Sequence, residues 1–266
     1  VPWHYSIVWI FITTPLLYVT MFLVGFTFII YRLVFRLFKI EKNESYTDLW
    51  RGKKELRDLI FFFTFIIPIF LTSILGSTLY DGWRHLYFIY PSFLYIAVYG
   101  LNLLKNIFIK KKTIIINIFI SVFIIQTTFW MIKNHPHQNV YFNIIAQNNF
   151  NEKFEMDYWG TSNKNVLEYI AKNTKNKVNI NNINTSDLLL SKKILSKKDK
   201  DLINVTYDIN EADYIINSFR DWNGFTKPKD YAIPLDFEIF YEIKVDKITI
   251  NSIYKKKYFK IEIILY

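Results

Sequence analysis

No cysteine occurs in the chain, so it can build neither a disulfide framework nor a thiolate site. Its redox compartment therefore stays open. Histidine is scarce too, with His4, His85, His135 and His137 the full set. The seven glycines form no Walker loop and no dinucleotide-binding turn. A nucleophile elbow and a zinc-protease helix are missing as well. Lysine and arginine are absent from four long apolar stretches, which favours membrane spans over buried soluble helices. The net charge of +10 comes without a zinc-finger or RNP-type signature, so no nucleic-acid partner is expected.

What is present is apolar and aromatic. Hydrophobic residues make up 52% of the 266 and aromatic ones 19%, more than a soluble domain usually carries. The four stretches run from about 7 to 31, 59 to 75, 86 to 104 and 113 to 132. Each approaches the ~20 residues that cross ~30 Å of hydrocarbon. Pro15 lies inside the first, which predicts a short interfacial helix ahead of the span proper. Pro68 and Pro91 fall inside the second and third, as membrane helices tolerate. The sequence thus predicts a polytopic α-helical membrane region over residues 1–133 and a small extracytoplasmic α/β domain over 134–266. Residue 1 is Val rather than Met and the first apolar run begins at once, so a piece of a longer chain is expected.

The loops orient the spans. Arg32, Arg36, Lys39, Lys42, Arg51, Lys53, Lys54 and Arg57 separate the first pair, and Lys105, Lys110, Lys111 and Lys112 the last pair. Between the second and third stands Arg84 alone. The positive-inside rule places the two basic loops in the cytoplasm. The Tyr80–His85 loop, the N-terminal residues 2–5 and everything after Lys133 then lie outside. All four histidines fall on that outer face.

After Lys133 the composition turns to Asn, Lys, Asp and Ile. Residues 163–173 read as a helix with Ser162 as its cap. Residues 177–183 suggest a strand, 186–195 a helix and 214–216 a buried strand. Residues 237–245 and 248–254 flank Asp246-Lys247 as a hairpin.

Several constellations could carry chemistry. Tyr80-Asp81-Gly82-Trp83-Arg84-His85 presses an acid, an arginine and a histidine between two spans. An Arg fork matches two phosphate oxygens, and His donates a hydrogen bond or moves a proton. Asp81 could orient Arg84, and Gly82 allows close backbone approach. The bland alternative is an interfacial belt with Tyr80 and Trp83 at the headgroups and Arg84 snorkelling. His135-Pro136-His137 is a weak metal signal without a carboxylate beside it, and no metal site is expected. Asp157-Tyr158-Trp159-Gly160 reads as a packed corner before a helix. Arg220-Asp221-Trp222 follows a strand's carboxyl end, where α/β ligand sites often lie.

Four ordered strings resemble one family. Pro2-Trp3-His4-Tyr5 with Ile12-Thr13-Thr14-Pro15 is similar to the external segment and following span in the second half of type C integral-membrane glycosyltransferases. Tyr80 to His85, with Phe88 and Pro91, resembles the "YDG-x-RH…F…P" element of one branch. His135-Pro136 with Val140-Tyr141-Phe142-Asn143, then Phe154-Glu155 and Asp157 to Gly160, resembles that branch's exit and tail, which Ala212-Asp213-Tyr214 also fits. The branch is related to dolichyl-phosphate-mannose–protein mannosyltransferases and to lipid A aminoarabinose transferases. The resemblance implies a polyprenyl-phosphate-linked sugar as donor, an unidentified acceptor at the outer membrane face, and no cofactor. It implies that Arg84 and His85 contact the donor phosphate and Asp81 holds them. It also implies that His4, Tyr5, Tyr80 and Trp83 line the same cavity. The family's catalytic acid belongs to the N-terminal half of such enzymes, and no counterpart to it is identified in these residues. A non-catalytic membrane-anchored binding or assembly module is the alternative expectation.

Overall fold

The computed structural model describes residues 2–38, 49–79, 82–107, 110–146, 154–183, 185–220 and 233–257. It divides into two compact units, residues 1–133 with 141–147 and residues 134–140 with 148–266.

The first unit is helical: α1 (Tyr5–Thr13), α2 (Leu16–Phe38), α3 (Gly52–Ile74), α4 (Tyr90–Ile107) and α5 (Lys110–Lys133). A 3₁₀ turn over Arg84–Ile89 leads into α4. Four helical stretches are long and apolar enough to cross a membrane: Leu16–Leu37, Gly52–Ile74, Arg84–Ile107 and Thr113–Lys133. The chain is a membrane protein of the expected layout, four apolar helices followed by a small sheet domain. The first apolar stretch is cut at Pro15, which has no N–H to continue the ladder. A separate helix of nine residues therefore precedes the span.

Aromatic rings hold α2, α3 and α4 together. Phe22 stacks on Phe93 at 4.5 Å and meets Phe65 at 4.8 Å. Ile29, Ile89 and Ile96 are fully buried beside them. The helices α2 and α4 touch backbone to backbone where Gly25 faces Gly100. By contrast, α5 buries none of its most apolar stretch within the unit. A helix apolar all round suits lipid on every side.

The second unit is a five-stranded sheet of order β2-β1-β3-β5-β4. Its strands are β1 (Val178–Ile183), β2 (Ile203–Val205), β3 (Tyr214–Asn217), β4 (Phe237–Val245) and β5 (Ile248–Lys256). β1 runs parallel to β2 and β3, and β5 runs antiparallel to β3 and β4. Helices α6 (Asn163–Lys172), α7 (Leu188–Lys193) and α8 (Lys197–Leu202) accompany it. Positive φ at Asp246 and Lys247 makes the two-residue turn whose twist matches the flanking strands.

Two elements, α8 and β2, have no clear signature in the amino-acid order. Lys197-Lys198-Asp199-Lys200-Asp201 offers no apolar stripe, and β2 is only three residues long. β2 exists because it pairs with β1, Val178 opposite Ile203. Ser162 precedes α6 as expected, but its side chain makes no cap bond there. Its hydroxyl goes instead to Asp157 Oδ2 at 2.5 Å.

Candidate functional site

The break at Pro15 leaves the carbonyls at the end of α1 without helical donors. Asn143 supplies them. Its side-chain amide donates to Phe11 O and Thr14 O, both at 2.6 Å, and its backbone N–H donates to Ile12 O at 2.8 Å. Phe11 O is the acceptor that the missing N–H of Pro15 would have used. The flanking residues dock as rings, Phe142 at 5.8 Å from Trp9 and Tyr141 edge-on to Trp130 at 4.8 Å.

The other face of this assembly is the loop before α4. Gly82 is buried at φ +64°, and a Cβ there would rest 3.4 Å from the Trp9 ring. Next to it, the Trp83 indole N–H donates to Thr13 Oγ1 at 3.0 Å, and that hydroxyl donates to Trp9 O at 2.6 Å. Trp83 lies in the hydrophobic core, 8% exposed. Three stretches far apart in sequence therefore meet around Trp9: residues 9–14, 82–83 and 142–143.

The 3₁₀ turn sets what faces outward. With about three residues per turn, Leu86 and Ile89 fall on one side and are buried. Arg84 and His85 are consequently exposed. His4 is exposed at the start of α1, its ring edge-on to Trp3 at 5.4 Å. Tyr5 is half-buried against Trp9, with ring centroids 6.2 Å apart. The Ser73 hydroxyl near the end of α3 donates to Trp3 O at 3.2 Å, tying the N-terminal segment to this end of the helices. Tyr80 and Asp81 lie outside the described residues, as do Asp221 and Trp222.

In the second unit, Asp157 is buried and fully engaged. Thr161 N and Oγ1 donate to Oδ1 at 2.9 and 2.8 Å, and Ser162 N and Oγ donate to Oδ2 at 2.9 and 2.5 Å. Asn251 on β5 donates to Ser162 Oγ at 2.8 Å and to Asn163 Oδ1 at 3.0 Å. This is a packed polar corner that pins α6 to the sheet. The Arg220 guanidinium sits 4.1 Å from the Tyr158 ring centre.

His135 and His137 line a cavity of about 210 Å³ with Asn165, Glu168, Tyr169, Lys172 and Tyr241. The Tyr169 and Tyr241 rings stack at 3.8 Å. Burial pushes the His137 imidazole below its ordinary pKa, the Asp157 carboxylate opposes that, and His135 adds to it. Among the described residues no group of three or more His, Cys, Asp or Glu could hold a metal ion.

One constellation lies outside the sequence expectations. Arg32 on α2 donates to Asp58 Oδ2 on α3 at 2.9 Å, and the Tyr95 hydroxyl on α4 donates to Asp58 Oδ1 at 2.6 Å. Arg57 Nε in turn donates to Tyr95 Oη at 3.0 Å, and Arg36 Nη2 donates to Glu55 Oε1 at 2.5 Å. In sequence these arginines read only as markers of a cytoplasmic loop. The available signal was Asp58, an acid directly abutting an apolar stretch.

No family model matches the chain, and neither does any curated protein or solved structure.

Proposed function

We propose that this chain forms part of a membrane glycosyltransferase that moves a sugar from a polyprenyl-phosphate donor to an acceptor at the outer membrane face. The observation that supports this most is the convergence around Trp9. Gly82, Trp83, Thr13, Phe142 and Asn143 belong to the strings that resemble the type C enzymes. They pack into one scaffold, with Arg84 and His85 exposed beside it. The basic residues Arg32, Arg36 and Arg57 gather at the opposite ends of the same helices, so the positive-inside rule assigns the scaffold to the outer face.

The transfer breaks the bond between the anomeric carbon and the donor phosphate oxygen and forms one to the acceptor oxygen. The acceptor loses its proton, and polyprenyl phosphate leaves with the additional negative charge. A guanidinium fork lowers the cost of that charge where it develops. Arg84 takes this role, and His85 adds a donor or a proton. His4 and Tyr5 line the donor cavity and Trp83 braces it, and the resemblance implies that Asp81 and Tyr80 join them. The resemblance assigns the base that deprotonates the acceptor to a carboxylate in another part of such enzymes.

The direct test is binding of a short-chain polyprenyl phosphate to the chain in nanodiscs. Arg84→Ala should weaken it about tenfold or more, the loss expected for a charge-assisted hydrogen bond. Unchanged binding would point to the anchored binding module instead.

A further inference from the structure

Arginines gather at the other end of the helices. Arg32 and Asp58 side chains are only 13% and 5% exposed. The Arg32 fork spends Nη1 on Asp58, while its Nε and Nη2, both buried, meet no hydrogen-bond acceptor among the described residues. Leaving buried donors unsatisfied is costly. Asp58 is shared by Arg32 and, through the Tyr95 hydroxyl, by Arg57, and on the same two helices Arg36 pairs separately with Glu55. Among the described residues this group therefore holds three guanidiniums to two carboxylates. Arg51, Lys53 and Lys54, exposed at the start of α3, add to the same sign.

Depth decides what could answer this charge. Arg32 lies five residues before the end of the Leu16–Leu37 span, about 8 Å along a helix. A long side chain at that depth reaches the hydrocarbon boundary. The anion available there is a phosphate oxygen pair, which matches two parallel N–H donors of a guanidinium. Basic pockets between membrane helices take anionic headgroups for this reason.

We propose that Arg32, with Arg36 and Arg57 beside it, is a binding site for a phosphate oxyanion, supplied by the headgroup of an anionic phospholipid. Asp58 and Tyr95 hold the Arg32 fork in place, so the pair is the frame of the site. The bound phosphate completes the hydrogen bonding of Nε and Nη2. It is distinct in position and ligand from the proposed donor site at Arg84, and does not depend on it.

The experiment measures lipid binding to the purified chain in nanodiscs of phosphatidylcholine with graded phosphatidylglycerol, and separately with added inorganic phosphate. The wild type should prefer phosphatidylglycerol by roughly fivefold or more, about 1 kcal/mol for an engaged cation at a membrane surface. Arg32→Lys keeps a charge and a donor for Asp58 but removes the fork, and should lose the preference. If Arg32→Lys does not fold, Arg36→Gln carries the same comparison. A response to phosphatidylglycerol alone identifies a lipid headgroup as the source, and a response to inorganic phosphate as well shows that the oxyanion suffices. Equal binding of both lipids by the wild type overturns the proposal, as does an undiminished preference in the folded variants.

Discussion

Gly25 on α2 and Gly100 on α4 face each other across a helix crossing so close that their backbones touch. A Cβ on Gly25 would fall inside the contact radius of Ile96 O and 2.9 Å from Gly100 N; one on Gly100 would strike Met21 O. The obstructing atoms are backbone, so no rotamer change relieves the clash. Small residues at such crossings let helices approach where lipid supplies no hydrophobic drive between them.

Gly25→Ala should therefore separate α2 from α4 and loosen the Phe22–Phe93 stack. Overpacking of this kind costs about 1–3 kcal/mol. Thermal unfolding in detergent should show the loss in Gly25→Ala and Gly100→Ala alike. The double variant should cost less than the sum, because both clashes are relieved by one displacement. Strict additivity would show that the crossing is not shared.

Asn143→Ala should free the end of α1. The substitution removes two side-chain donors and orphans Phe11 O and Thr14 O, worth about 1–3 kcal/mol for each buried acceptor. Hydrogen exchange should rise in α1 and around Gly82, which leans on Trp9. Asn143→Asp should be worse, since a carboxylate would face carbonyl oxygens. Exchange in α1 identical to wild type would show that the capping bonds are dispensable.

The pH dependence of the second unit should track His137. Its buried imidazole has a folded-state pKa below the ordinary value, which is about 6.5 in an unfolded chain. As pH falls through that value, the unfolded chain takes up a proton that the folded one refuses. The unfolded state then binds more protons, so stability declines with falling pH and is recovered above it. In the whole chain, pulse proteolysis in urea between pH 7.5 and 5.5 should show this decline. His137→Gln should flatten it, and parallel pH slopes for the two proteins would refute the assignment.

Much of the fold is legible in the amino-acid order, and its legibility has a common cause. The spans follow from apolar runs long enough for a bilayer, and the β4–β5 hairpin from two β-rich runs around Asp246-Lys247. These signals sit within a few residues of one another, where hydrophobicity and backbone preference act directly. Even the cut at Pro15 is local, because a missing N–H breaks a helix wherever it occurs.

The candidate sites are only half legible there. Tyr80 to His85 stands out because charge between apolar runs is conspicuous. The structure adds that Gly82 and Trp83 are packed against α1 while Arg84 and His85 face outward, a division made by the 3₁₀ turn. The role of Asn143 is invisible in sequence, since the carbonyls it caps are 129 and 132 residues away. So is the use of Asp58 by Arg32 and Tyr95, and of Asp157 by Ser162 beneath Asn251. By itself the amino-acid order determined which segments are apolar, where helices break and where charge collects. Which polar groups meet was decided only by tertiary packing, because a buried donor or acceptor must be satisfied by whatever the fold brings within about 3 Å.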